Sequence, residues 1–106
     1  MDMRDEWLAA LRYWASKNDN VRELWLFGSR VEGRSRPGSD VDLALVLMPP
    51  SGKHDWAAGN YIALHSDWKR ELEGIVGRHV SLEALEPGSE EDAMVRQSGM
   101  ILWKRG

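Results

Sequence analysis

From Glu6 onward the apolar residues Trp7, Leu8, Leu11, Trp14 and Ala15 recur on one stripe of a 3.6-residue period, until Asn18-Asp19-Asn20 breaks the pattern. That spacing predicts a first amphipathic helix. Val21 to Phe27, VRELWLF, is short, apolar and aromatic and stops at Gly28, so a buried strand is expected there. The next segment, GSRVEGRSRPGS, is rich in glycine and serine, carries a Pro37-Gly38 turn signal and leaves room for a single helical turn at Ser29 to Glu32. Asp40 to Leu47, DVDLALVL, alternates and then becomes uniformly apolar, as a central strand does when one end reaches solvent; Pro49-Pro50-Ser51-Gly52 ends it.

A longer helix is predicted over Asp55 to Val76, with Tyr61, Leu64, His65, Trp68, Leu72, Ile75 and Val76 on one face and Gly77 as its stop. His79 to Leu85 alternates Val80, Leu82 and Ala84 inward against Ser81 and Glu83 outward, a third strand. Pro87-Gly88-Ser89 leads into a short helix with an acidic start, Glu90 to Gln97, and Met100 to Trp103 adds a last short strand. The order α-β-(turn)-β-α-β-α-β predicts an α/β (α+β) fold, one mixed sheet of three or four strands flanked by helices, with no linker dividing residues 1–106.

Composition narrows the function classes. The chain has 42% hydrophobic and 29% charged residues, as a globular domain does, and 106 residues fit one domain with a single site. Fourteen Lys+Arg against 17 Asp+Glu give a net charge of -3 with the basic residues dispersed, which argues against long RNA or DNA as a partner. The absence of cysteine removes disulfides, thiolate chemistry and cysteine zinc sites. Charges run through the apolar part of the start and no long uncharged stretch follows, so neither secretion nor a membrane span is expected, and the cytoplasm is the expected compartment.

The chemistry concentrates between Gly28 and Asp42. Asp40 and Asp42 lie two apart on a predicted strand, so their side chains leave the same face roughly 6.5–7 Å apart. Unpaired carboxylates repel, and a hard cation such as Mg²⁺, which takes oxygen ligands and keeps several waters, is suited to holding both ionised. Gly28 stands where a strand meets a helical turn, a place where backbone N–H groups receive phosphate oxygens if no Cβ obstructs them. Ser29 adds a hydroxyl and Arg30 a charge-assisted donor. A phosphate cradle on one strand end and a carboxylate pair on the next together describe phosphoryl or nucleotidyl transfer.

GSRVEGRSRPGSDVDLALV resembles the signature of the minimal nucleotidyltransferases (MNT) of the DNA-polymerase-β-like superfamily: Gly-Ser after the first strand, ten intervening residues, then Asp-x-Asp on the second, with Arg30, Gly33 and Ser39 as accessory matches. The long helix, the GRHVSLEAL strand and the C-terminal MVRQSGMILWKR follow the family's order more loosely. The resemblance implies the polymerase-β-like fold and a two-metal, three-carboxylate site. Gly28 and Ser29 would hold the triphosphate of an NTP, expected to be ATP, with Arg30 and Ser39 beside them, and Asp40 and Asp42 would bind Mg²⁺. It implies transfer of an NMP to a hydroxyl of a small molecule or a partner protein, and membership of a toxin–antitoxin pair with an all-helical HEPN protein. Where the family has a third-strand aspartate this chain has Ser81; Glu83, two residues on and on the same face, is the candidate replacement. Without it, the same fold is expected to act as a non-catalytic nucleotide-binding or inhibitory module.

Other features are read as structural. Arg34 and Arg36 are expected to be solvated, and His54, His65 and His79 lack a spacing that would gather them around zinc, with His65 a packing residue. Trp7, Trp14 and Trp68 fall on inward stripes. Six tryptophans are many to hide in so small a domain, and exposed indole faces would favour self-association into a homo-oligomer or a partner surface.

Overall fold

A computed structural model describes residues 2–36, 38–47 and 56–105, and side chains within them except at 56–63. The elements follow the expected order: α1 Asp5–Lys17, β1 Val21–Phe27, α2 Ser29–Glu32, β2 Val41–Leu47, α3 Trp56–Val76, β3 Val80–Ala84, α4 Glu90–Ser98 and β4 Met100–Lys104. The sheet runs β3-β2-β1-β4. β1 is antiparallel to both β2 and β4, whereas β2 and β3 are parallel, because α3 carries the chain back between them. Asp40, expected within the second strand, precedes it: its carbonyl accepts from Arg30 Nε at 3.3 Å, and β2 pairing begins when Val41 N donates to His79 O at 2.9 Å. His54 and the Pro49-Pro50-Ser51-Gly52 stop lie outside the described residues, as do the side chains of Trp56 and Tyr61.

Strand parity divides the side chains between two faces. Leu24 and Leu26 of β1, Val41, Leu43 and Leu45 of β2, and Val80 and Leu82 of β3 meet Leu8, Leu11 and Trp14 of α1 and Trp68, Leu72 and Val76 of α3 in one core cluster. Trp14 and Trp68 meet edge to face, centroids 5.9 Å apart. His65 Nε2 lies 3.3 Å from the Leu82 carbonyl, the packing role expected of it. Across the sheet, Ala44, Val46, Leu85 and Val95 of α4 form a smaller cluster with Trp25 and Phe27 alongside. Asp42, Ser81 and Glu83 share parity with this second face.

Polar contacts fix α4 on that face. Ser89 Oγ accepts from Asp92 N at 3.1 Å, Asp92 accepts from Gly88 N and Arg96 Nε, and Arg96 reaches Glu23, which also accepts from Trp25 Nε1 at 2.8 Å. Glu23 and Asp92 are buried, so each needs these donors. The helix ends on Gly99, where an added Cβ would stand 2.6 Å from Val95 O and 2.8 Å from Leu26 O.

The tryptophan surface expected to promote self-association is covered in part by guanidinium groups. Arg96 lies over Trp25 at 5.5 Å and Arg105 over Trp103 at 4.8 Å, while Arg4, Arg30 and Arg78 surround Trp7. Among the described residues no helix is long and apolar enough to cross a membrane.

Two substitutions test how α4 is held. Gly99→Ala forces a methyl against two backbone carbonyls and is expected to cost about 1–3 kcal/mol, and Ser89→Ala about 1 kcal/mol through loss of the cap. Urea unfolding of both variants measures this, and parental stability in both would show that neither contact holds the helix.

Candidate active site

Antiparallel pairing sets Phe27, the last residue of β1, directly opposite Asp42. The chain then has to leave the sheet beside the Asp42 carboxylate, and does so at Gly28 with φ +80°. A Cβ built on Gly28 would lie 2.2 Å from Asp42 Oδ2 and 3.1 Å from its Cγ. The carboxylate thus occupies the space a side chain would need, and only glycine satisfies both the dihedral and the approach. The bend at 28–29 and the Asp42 carboxylate therefore lie side by side, and the space they border is the candidate hollow.

Gly28 and Asp40 are exposed at its rim, while Ser29 and Asp42 are half-buried. Burial holds the Asp42 carboxyl above its ordinary range, the negative charge of Asp40 raises it further, and Arg30 partly offsets both. The arrangement is two oxygen-donor side chains in want of positive charge, beside a backbone bend free of Cβ.

On the other side of Asp42 the parallel register pairs it with Ser81, and pairs Ala44 with Glu83. Glu83 shares the face but stands one rung further along. The neighbouring Glu91 carboxyl, burial and the charges of Glu91 and Asp42 raise its affinity for a proton, and His65 partly offsets them. The three-carboxylate cluster expected from the resemblance is not assembled: among the described residues no group of three acidic or histidine side chains is placed to hold a metal ion. Glu83 has a neighbour in Glu91 instead. Glu91 carries no functional signal of its own, since the acidic run at 90–92 reads as ordinary charge at a helix start.

Arg30 and Ser39 are placed differently from the expected phosphate contacts. Arg30 is 5% exposed, and its guanidinium donates to Ser39 O at 2.7 Å, Asp2 O at 2.9 Å and Asp40 O at 3.3 Å. Three of its five N–H donors go to these carbonyls, so it braces the loop under Asp40. Ser39 Oγ accepts from Arg36 N at 2.8 Å, closing the turn before Asp40. Arg34 pairs with Glu32 at the surface, as a solvated loop arginine would.

Comparison with known proteins matches this geometry to a family. The polymerase beta nucleotidyltransferase family (Polymerase beta, Nucleotidyltransferase) matches residues 10–105. The chain is also similar to three solved structures. A toxin–antitoxin complex with AMP-PNP is 19% identical with a TM-score of 0.66, covering 96% of this chain and 75% of that one. A mutant of the toxin–antitoxin MntA-HpeT is 17% identical with a TM-score of 0.65, covering 93% and 73%. A complex of tri-AMPylated Shewanella oneidensis HEPN toxin with MNT antitoxin is 17% identical with a TM-score of 0.58, covering 94% and 71%. At these identities the structural likeness establishes the fold. No curated protein gives a significant match. With the family matched over residues 10–105, the chain belongs to the polymerase beta nucleotidyltransferase family.

Proposed function

We propose that the protein transfers an NMP, AMP in the first instance, from an NTP to a hydroxyl group of a HEPN-type helical partner or of a small molecule, as the antitoxin of a two-protein pair. The observation that carries this reading is the contact of Gly28 with Asp42, which gives one hollow both a backbone bend for phosphate and a carboxylate for a cation. The similar structures include a toxin–antitoxin complex with AMP-PNP and a tri-AMPylated HEPN toxin with its MNT antitoxin, which supports the choice of nucleotide and partner.

The residues fit a hard divalent cation. Asp40 and Asp42 supply two carboxylates, leaving the remaining positions to water and substrate phosphates, which is how Mg²⁺ is usually held. When bound, Mg²⁺ would neutralise charge on the phosphates and on these two acids. Gly28 and Ser29 present backbone and hydroxyl donors to the triphosphate. An acceptor hydroxyl attacks the α-phosphorus, the bond to the bridging oxygen breaks, pyrophosphate leaves and the hydroxyl proton passes to a base. Glu83 is the candidate base, and its raised affinity for a proton suits it to accept one.

Ser81 beside Asp42 favours a second reading, a module that binds nucleotide without transferring it. Labelled ATP, Mg²⁺ and a HEPN-type partner separate the two: enzyme predicts label on a hydroxyl, increased by Ser81→Asp, whereas no transfer by either form establishes the module.

Two further outcomes follow from the hollow itself. Gly28→Ala, which displaces the Asp42 carboxylate, is expected to lower transfer by roughly 100-fold, with metal-dependent ATP binding lost in calorimetry. Because its surroundings raise the Asp42 pKa, the fold prefers the neutral acid: its contribution to stability is fully present below the ordinary aspartate range and is lost as pH rises through the raised value. Asp42→Asn should therefore raise the melting temperature of the metal-free protein at neutral pH, with the gap closing on acidification. A constant gap across pH would mean that the carboxylate is not destabilised as described.

A further inference from the structure

A cavity of about 500 Å³ lies apart from the hollow, where the N-terminal segment meets the loop after α2. Its wall is held by a clasp: Asp2 N donates to Arg30 O at 2.7 Å, Arg30 Nη1 returns a bond to Asp2 O, and the Asp2 carboxylate accepts from Ser35 N at 3.1 Å and Ser35 Oγ at 2.6 Å. These Ser35 bonds hold the Asp2 carboxyl below its ordinary range, so it stays ionised with its Oδ2 engaged.

Four arginines line the cavity, Arg4, Arg30, Arg36 and Arg78, against the single acid Asp2, in a chain whose net charge is -3. The guanidinium groups of Arg4, Arg30 and Arg78 stand 5.5, 5.5 and 5.9 Å from the centroid of the Trp7 ring. Bringing three cations around one indole concentrates repulsion that a ring quadrupole offsets only in part. Among the described residues, neither Arg4 nor Arg36 has a carboxylate within ion-pair distance. Both are exposed, at the mouth, while buried Arg30 forms part of the lining. Trp7 packs on the core beneath α1 and α3, whereas Asp42 shares parity with the opposite face of the sheet, and Arg30 stands between the cavity and the loop under Asp40.

We propose that this cavity is a second anion site, which takes an oligophosphate group, either free or carried by a nucleotide. Several charges on one ligand match the guanidinium groups of Arg4 and Arg36 at the mouth, each able to make two parallel bonds to phosphate oxygens, with Arg30 and Arg78 adding positive charge from the lining. The indole, with guanidinium groups already about it, offers no clear face for a base, so the phosphates carry the recognition.

Calorimetry with tripolyphosphate, and separately with ATP, both with EDTA present so that no metal loads the hollow, tests this on the full chain. Binding of tripolyphosphate is expected to persist in Asp42→Asn and to weaken about ten-fold or more in Arg4→Gln/Arg36→Gln, whose positions are exposed and away from the core. Tighter binding of ATP than of tripolyphosphate, with the same arginine dependence, would identify the group as a nucleotide's. No binding of either probe, or binding that ignores the arginine substitutions, overturns the proposal. Metal-dependent ATP binding in the same double variant reports on the hollow independently, so failure of one site is not failure of the other.

Discussion

The pairing of Phe27 with Asp42 constrains everything at the site. Once β1 and β2 lie in that register, the chain leaving β1 has to bend within contact distance of a carboxylate, and glycine at positive φ is the residue that can do so. The register is set by the core: Leu24, Leu26, Leu43 and Leu45 are fully buried, and a slip of one residue would turn leucines to solvent and Asp42 into the apolar cluster. Burial of hydrocarbon on the α1 and α3 face thereby specifies where an acid stands on the other. Core packing and site geometry are one specification.

Arg30 complements this from below. A buried guanidinium is costly unless its donors are met, and here the carbonyls of Asp2, Ser39 and Asp40 meet them, tying the N-terminal segment, α2 and the start of β2 together. The same fixed charge partly offsets the burial and the repulsion that raise Asp42. It is a permanent countercharge behind the acidic pair. Each nitrogen of its guanidinium already donates to a backbone carbonyl, which fixes the group in place.

The strands and helices were legible because apolar blocks with periods of 2 and 3.6 are punctuated by residues with a physical reason to stop them: Gly28 after β1, Gly77 after α3, Ser89 capping α4. The approach of Gly28 to Asp42 was legible too, since adjacent strand ends leave few places for the two residues to be. Legibility failed where a side chain's direction depends on a distant segment. Nothing local tells that Asp2 returns to clasp Arg30 and Ser35, so Arg30 next to Gly28-Ser29 reads as a phosphate ligand when it is a brace. The indoles show the same limit: periodicity found the inward faces of Trp14 and Trp68 but not the arginines that cover Trp25 and Trp103.

The third strand is where sequence and geometry are most informative together. Parity alone puts Ser81 and Glu83 on the face of Asp42, and the parallel register then makes them inequivalent: Ser81 is level with Asp42, Glu83 with Ala44. An acid level with Asp42 would add a third negative charge to a pair already in repulsion. Glu83 stands a rung away, where Glu91, burial and Asp42 together raise its affinity for a proton. Glu91 belongs to α4, which is fixed through Ser89, Asp92 and Arg96 to buried Glu23. The seating of α4 therefore bears on the surroundings of Glu83, which ties that acid to contacts remote from the bend at Gly28.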